Sequence, residues 1–301
     1  MSLDKALVSR AQSKGVQYFF SSPVVDIFPE RDSVKVEARC PRMTEIFRAR
    51  AAVLANGFRP SLPRKLGLGR IRRFLIGAQA EIEGTDIDEF EVHFGQSVAP
   101  GGFAWIVPIS SGKAYVGLLA TCQAKPYLQK LLDSLFGQGR VATQRTEIRQ
   151  RAIPVGTLPR SYGDRLLVIG DAAGQVKPTT GGGIYFGHLG ARMAAKVLRE
   201  ALATDNLATG QLSRYQKDWK AKMGKELSRG YWARWAYAKL SDSQIEGIFE
   251  TLDSNGTAGS LLDSGGFSFD WHSKLISTVL RRSSTYPFRK MKALLSREVG
   301  S

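Results

Sequence analysis

Residues 166–198 read LLVIGDAAGQVKPTTGGGIYFGHLGARMAAKVL, and this stretch changes character twice along its length. Leu166, Leu167, Val168 and Ile169 form an unbroken apolar run of the kind expected of a strand buried on both faces, and the run stops at Gly170-Asp171. A Pro178-Thr179-Thr180 turn follows, then Gly181, Gly182 and Gly183. Beyond them Ile184, Leu189, Met193, Val197 and Leu198 recur at helical spacing, so a helix is predicted to start at the glycines.

Each part of this strand, turn and helix has its own physical job. The first free amides of a helix and its partly positive end face an anion well, and residues without Cβ let the backbone come within contact distance of a flat ring or a phosphate. Asp171, at the carboxyl end of the strand, is placed to accept hydrogen bonds from sugar-like hydroxyls. An ordinary crossover with incidental glycines explains any one of these features. Carboxylate, proline and triple glycine in one turn together favour a cofactor site.

The stretch resembles the second FAD fingerprint of flavoproteins with the p-hydroxybenzoate hydroxylase fold. It is most similar to the geranylgeranyl reductase family, in which GDAAG is followed by P-x-TGGGI. The resemblance implies FAD as the cofactor. It assigns the ribityl chain to Asp171 of the motif that opens at Gly170, and the isoalloxazine neighbourhood to Pro178. Gly181, Gly182, Gly183 and Ile184 would then face the flavin pyrimidine edge or the pyrophosphate. A helix N-terminus there would favour the anionic reduced flavin.

The chain has 301 residues with 43% hydrophobic and 23% charged content, the balance of a folded protein with a large core. Lys and Arg number 43 against 27 Asp and Glu, a net charge of +16, so anionic partners must be considered. No single-sign block or recognition motif accompanies the charge, and nucleic acid is not expected. Cys40 and Cys122 are the only cysteines, which excludes a disulfide scaffold or a CxxC metal site and fits the cytoplasm. No signal peptide and no apolar run near the ~20 residues needed to span a bilayer is present.

Working outward toward the N-terminus, Leu3, Ala6, Leu7 and Ala11 form a helical stripe closed at Lys14-Gly15. Residues 16–21, 24–28, 34–39 and 45–50 read as strands, and AAVLANG is a further buried strand ending at Asn56-Gly57. In the family a valine at the position of Val24 contacts the adenine, and an acidic residue commonly stands where this chain has Asn56. The family also opens with a G-x-G-x-x-G turn for the FAD pyrophosphate, and the chain contains none. The resemblance therefore covers roughly two thirds to three quarters of the family's length. It implies that the first βαβ unit comes from upstream sequence or a second chain, covering an otherwise exposed sheet edge.

The middle of the chain reads as a second sheet over residues 75–81, 90–94, 103–109 and 114–120, then a helix over 124–136 and a strand over 147–155. APGGFAWIVPISSGKAYVGLL resembles the family's P-G-G-[YF]-x-W hairpin. Phe103, Trp105 and Val107 share one face by the two-residue period, and Pro108 is expected to end the ladder. That face either lines an apolar tunnel for a prenyl chain or packs the core under the sheet, and spacing leaves both open. His93, His188 and His272 lie in separate segments without metal-ligand spacing and read as packing or surface residues. No metal and no catalytic residue is assigned.

From Leu212 the chain reads as helices, with Ser241-Asp242 a cap for residues 244–252 and a Gly/Ser linker over 255–260. From Trp271 onward seven Lys or Arg stand against one Glu, a net of +6, with apolar residues at helical spacing. Such a tail either lies on an anionic membrane surface or forms helices with a solvated basic side.

The expected fold is α/β (α+β). It has a partial FAD-binding doubly wound sheet (1–60 and 150–205), an inserted mixed β-sheet substrate domain whose sheet over 61–149 is expected to be antiparallel, and a C-terminal helical region (206–301). The expected function is reduction of prenyl-lipid C=C bonds, with NADPH or ferredoxin as possible electron donor. A flavin-dependent aromatic hydroxylase and a non-catalytic binding subunit are the alternatives.

Overall fold

The structure is a computed structural model and describes residues 3–41, 43–110, 112–142, 146–254, 268, 270–273, 276 and 277. Its first element, α1 (Leu3–Gln12), has the expected apolar stripe but buries no side chain. Residues 16–21, expected as a strand, join no ladder. Among the described residues no strand runs beside them to exchange hydrogen bonds, and Val16, Tyr18, Phe19 and Phe20 stand exposed. β1 (Val24–Pro29), β2 (Val34–Arg39) and β3 (Thr44–Ala49) then form an antiparallel meander, with Val24 opposite Ala38.

After β4 (Ala52–Leu54) and the short α2 (Ser61–Lys65) the chain enters its large sheet. This comprises β5 (Phe74–Glu83), β6 (Glu91–Phe94), β7 (Phe103–Ser110), β8 (Lys113–Ala120) and, beyond α3 (Lys125–Gly137), β9 (Arg149–Pro154), in the order β6-β7-β8-β5-β9. Every ladder in it is antiparallel. Hydrogen-bonded neighbours run in opposite directions, and no crossover returns a strand parallel to its neighbour. β9 pairs with β5 along its whole length, so the sheet continues to residue 154. Pro108 does not end the ladder: it faces Ala114, and the strand runs on to Ser110. The register shifts between Pro108 and Ser110, a bulge that accommodates the missing N–H.

The two faces of this sheet differ. Ala104, Ile106, Val116 and Leu118 are wholly buried against Leu128, Leu132 and Leu135 of α3. Phe103 and Trp105 alternate onto the opposite face.

β10 (Tyr162–Gly163) and β11 (Leu166–Val168) return to the first unit, where β11 pairs in parallel with β4. All three β11 side chains are buried as expected of a two-sided strand. Leu166 and Val168 pack with Leu54, Ile27 and Val34, and Leu167 with Phe186, Leu212 and Tyr215. β4 remains an edge strand, with Val53 exposed.

A 3-10 turn (Gly170–Ala173) leads to α4 (Ile184–Ala203), which packs on α5 (Thr209–Trp219). A π-helical turn (Lys220–Gly224), unforeseen in the helical pattern, joins α5 to α6 (Lys225–Tyr237). α7 (Asp242–Ser254) begins with a reciprocal cap: the Ser241 amide donates to Gln244 Oε1 at 3.1 Å and the Gln244 amide to Ser241 Oγ at 3.4 Å. The linker over 255–260 and most of the basic tail lie outside the described residues. Among the described residues no helix is long and apolar enough to cross a membrane.

Candidate functional site

The turn after β11 is held from beneath by a buried polar network. The Gly170 amide donates to Gln175 Oε1 at 2.9 Å, Gln175 Nε2 donates to the Tyr215 hydroxyl at 2.8 Å, and that hydroxyl donates to the Val168 carbonyl at 2.9 Å. Gln175 and Tyr215 are fully buried, and burial holds the Tyr215 phenol far above its usual range. With every member satisfied, the network locks the strand end to α5.

Asp171 is half-buried on this turn. Burial raises its pKa, and its own backbone amide is the only opposing influence. Among the described residues no other group donates to this carboxylate, so its remaining lone pairs are open to hydroxyl donors. The start of α4 runs directly past it: a Cβ on Gly183 would lie 2.6 Å from Asp171 Oδ1.

The loop over 177–182 is closed by two backbone hydrogen bonds, Gly181 N to Lys177 O at 2.8 Å and Lys177 N to Gly182 O at 3.0 Å. Gly181 has φ +73°, and a Cβ there would lie 3.0 Å from Leu119 Cδ1 and 3.5 Å from Ile153 Cγ2. The glycine turn thus abuts the sheet on the face away from α3. Leu119 and Ile153 belong to one apolar cluster with Phe103, Trp105 and Tyr231, with the rings of Phe103 and Trp105 5.7 Å apart. Both aromatics lie on the sheet face beside the glycine turn. Trp105 lies across Gly117, its cross-strand partner, where a Cβ would come within 2.5 Å of the indole Cε2.

Other assigned residues are placed differently. Val107 is half-buried on the same strand face but joins no apolar cluster, and Ile184 stands 68% exposed on the first turn of α4. Pro178 is buried and lies under Gly230 of α6, whose added Cβ would meet its Cδ at 3.3 Å. Val24 lies on the meander, in a different sheet from β11, and is 41% exposed. Among the described residues it shares no packing cluster with the glycine turn.

Several participants were not singled out in the sequence. Tyr231, Leu119 and Ile153 reach the site from three distant segments, so no local spacing reports them. Gly117 did leave a signal, a glycine inside an otherwise regular strand pattern, which marks close approach. α6 is tied to the hairpin by Arg234, which donates to the Gly101 carbonyl, and by the Tyr237 hydroxyl, which donates to Gly102 O at 3.0 Å. Burial pulls Arg234 down to about 10 and pushes Tyr237 up to about 12.

His272, read as a packing or surface residue, sits against the turn with Nδ1 2.7 Å from Thr179 Oγ1, and Asp270 pairs with Lys177 at 2.9 Å. The buried Glu226 accepts the His272 amide at 2.6 Å and the Ser273 amide at 2.9 Å. Among the described residues no cluster of His, Cys, Asp or Glu is arranged to hold a metal ion.

The donor set fits a flavin. It offers an open half-buried carboxylate for hydroxyls, a backbone cradle at Gly181 to Gly183, and an apolar wall beside it. No family model matches the chain. A digeranylgeranylglycerophospholipid reductase of Methanothermobacter thermautotrophicus is 34% identical over 262 residues, covering 84% of this chain and 67% of the relative. Among solved structures, a geranylgeranyl bacteriochlorophyll reductase-like protein from Thermoplasma acidophilum superposes with a TM-score of 0.81 at 21% identity. That match covers 97% of this chain and 74% of the other. An anhydrotetracycline hydroxylase from Streptomyces rimosus shares the fold less closely, with a TM-score of 0.65 at 15% identity over 94% of this chain and 56% of its own.

Proposed function

This chain belongs to the geranylgeranyl reductase family, and from that premise we propose that it takes part in the FAD-dependent reduction of C=C bonds in a prenyl lipid. The observation that carries this reading is the apposition of the glycine turn to an apolar sheet face, through Gly181 against Leu119 and Ile153, with Phe103 and Trp105 in the same cluster. A compact polar aromatic substrate needs convergent polar groups in its pocket, and this cluster offers an isoprenoid chain only apolar contact.

FAD, when bound and reduced by its electron donor, would supply the electron pair for the alkene. Asp171 would accept hydrogen bonds from its ribityl hydroxyls, the amides at the start of α4 would favour negative charge on the reduced ring, and Pro178 would border the ring. Phe103 and Trp105 hold the prenyl chain at contact distance and exclude water.

The pyrophosphate half of the cofactor site is proposed to come from sequence or a second chain outside these residues. The open edge of β4 and the exposed aromatics of residues 18–20 support this. NADPH or ferredoxin is the proposed donor. The basic segment after Trp271 is proposed to touch anionic membrane from the cytoplasmic side, which predicts vesicle binding that weakens with salt.

The test is anaerobic incubation of reduced, flavin-loaded protein with a geranylgeranyl lipid. Mass spectrometry should show two hydrogens gained per alkene, and Trp105→Ala should slow turnover more than it weakens FAD binding. Absence of prenyl reduction there, together with oxygen insertion into an aromatic acid in a parallel aerobic incubation, would replace this reading by the hydroxylase.

A further inference from the structure

Pro178, beside the glycine turn, also walls an open cavity of about 530 Å³ bordered by α6, the π-helical turn and the loop following β9. Its inner surface is apolar and aromatic, with Val155, Val176, Pro178, Tyr231 and Trp232. Three cations, Arg73, Lys220 and Lys225, line the same space, and no carboxylate does among the described residues. Each of the three is exposed, and none forms a salt bridge among the described residues. The Arg73 guanidinium lies over the Tyr231 ring at 4.6 Å and 5.9 Å from Trp232, which holds its planar fork at the opening. Three like charges around one opening repel each other in the empty state and attract an anion.

The backbone is shaped for this grouping. On a regular α-helix two residues five apart point roughly 140° away from each other. An i→i+5 turn brings such residues closer to one side, and Lys220 and Lys225, which flank the π-helical turn at Lys220–Gly224, both line the cavity. Such turns are rare and concentrate at functional sites, which is a second, independent pointer to a ligand.

The cavity adjoins the candidate reaction site. Tyr231 lines the cavity and also packs in the apolar cluster of Leu119, Ile153, Phe103 and Trp105, on the face beside the glycine turn. Cations at the rim of an apolar, aromatic wall match an amphiphile with an anionic head.

We infer that this cavity seats the phosphate of a prenyl phospholipid, with Arg73, Lys220 and Lys225 on the phosphate and the chain passing Tyr231 toward Trp105. The inference rests on the prenyl-reductase reading for the identity of the chain. Free phosphate and nucleotide phosphates share the anion chemistry, while the apolar and aromatic wall favours the lipid.

The test is a binding titration of this chain with geranylgeranyl phosphate, geranylgeraniol and inorganic phosphate, followed by tryptophan fluorescence, since Trp219 and Trp232 line the cavity. Lys220→Gln with Lys225→Gln should weaken geranylgeranyl phosphate binding by roughly tenfold or more, as expected for lost charge-assisted contacts, and leave geranylgeraniol binding unchanged. Both lysines are exposed, so circular dichroism of the variant should match that of the parent. Arg73→Gln should act in the same direction.

Four results would each overturn the site: no binding by the parent chain, equal losses for phosphate and alcohol, inorganic phosphate binding as tightly as the lipid, or displacement of the lipid by FAD. Charge-dependent lipid binding without any alkene reduction would keep this site and sink the reductase reading. Alkene reduction with charge-insensitive binding would do the reverse.

Discussion

Replacing Gly117 by alanine adds one methyl group, and the structure says where it goes. The new Cβ would lie 2.5 Å from Trp105 Cε2 and 2.8 Å from its Nε1. Carbon atoms pack without repulsion at ~3.5–4.0 Å, so the indole must retreat by about 1 Å or more. Phe103, Leu119 and Ile153 share its cluster and resist that movement. Overpacking of this kind costs about 1–3 kcal/mol, a drop of a few degrees in Tm.

A displacement of ~1 Å at a group that positions substrate costs ~100-fold in turnover, so prenyl reduction should suffer more than stability. FAD affinity should hardly change, because Gly117 is on the sheet and not on the glycine turn. The decisive assay is a double-mutant cycle read by thermal denaturation. With Trp105→Ala already in place, Gly117→Ala meets no ring, and it should cost less than ~0.5 kcal/mol or even stabilise the strand by restricting its unfolded backbone. If Gly117→Ala costs the same in both backgrounds, Trp105 does not lie across Gly117 and the wall described here is wrong.

Asp171→Asn should lower FAD affinity by roughly ten- to a hundredfold, the worth of a hydrogen bond to a charged acceptor at ~1.5–3 kcal/mol. It should also flatten a pH trend. Because burial raises the folded pKa of Asp171 above 3.8, the parent without cofactor loses stability as pH rises from there through the folded value, and the asparagine variant lacks this loss. Parallel Tm-against-pH curves for the two proteins would contradict it. Tyr215→Phe leaves both Gln175 Nε2 and the Val168 carbonyl without the hydroxyl, and should cost about 1–3 kcal/mol in chemical denaturation. A change below the error of the measurement would mean the network does not buttress the turn. Gly181→Ala should reduce FAD retention more than Gly182→Ala. The first combines φ +73° with the sheet face at 3.0 Å, whereas the second meets mainly the movable end of Lys177, so equal retention would refute the difference.

The strand, carboxylate, glycine turn and helix over residues 166–198 were legible in the sequence because each is written in local periodicity and in residues with special backbone properties. β11 is buried on both faces and α4 starts at Ile184, as the apolar run and the glycines require. The alternation in residues 103–107 likewise placed Phe103 and Trp105 on one strand face. It did not say which face meets the glycine turn, since that depends on α3 covering the other side.

Local pattern also overstated two features. Residues 16–21 have strand composition but no neighbour to pair with, and Pro108 sits in a bulge instead of ending its ladder. A strand exists only when another supplies its hydrogen bonds, and no window of sequence contains that partner. The same limit hid Tyr231 and His272 from the site, Gln175 from its buried hydroxyl, and Lys220 and Lys225 from each other across the π-helical turn. Sequence by itself determined where the strand, the carboxylate, the glycine turn and the helix lie, because glycine, proline and carboxylate act through their own backbone and charge. Only the tertiary structure decided what stands opposite them, because packing joins residues that no periodicity connects.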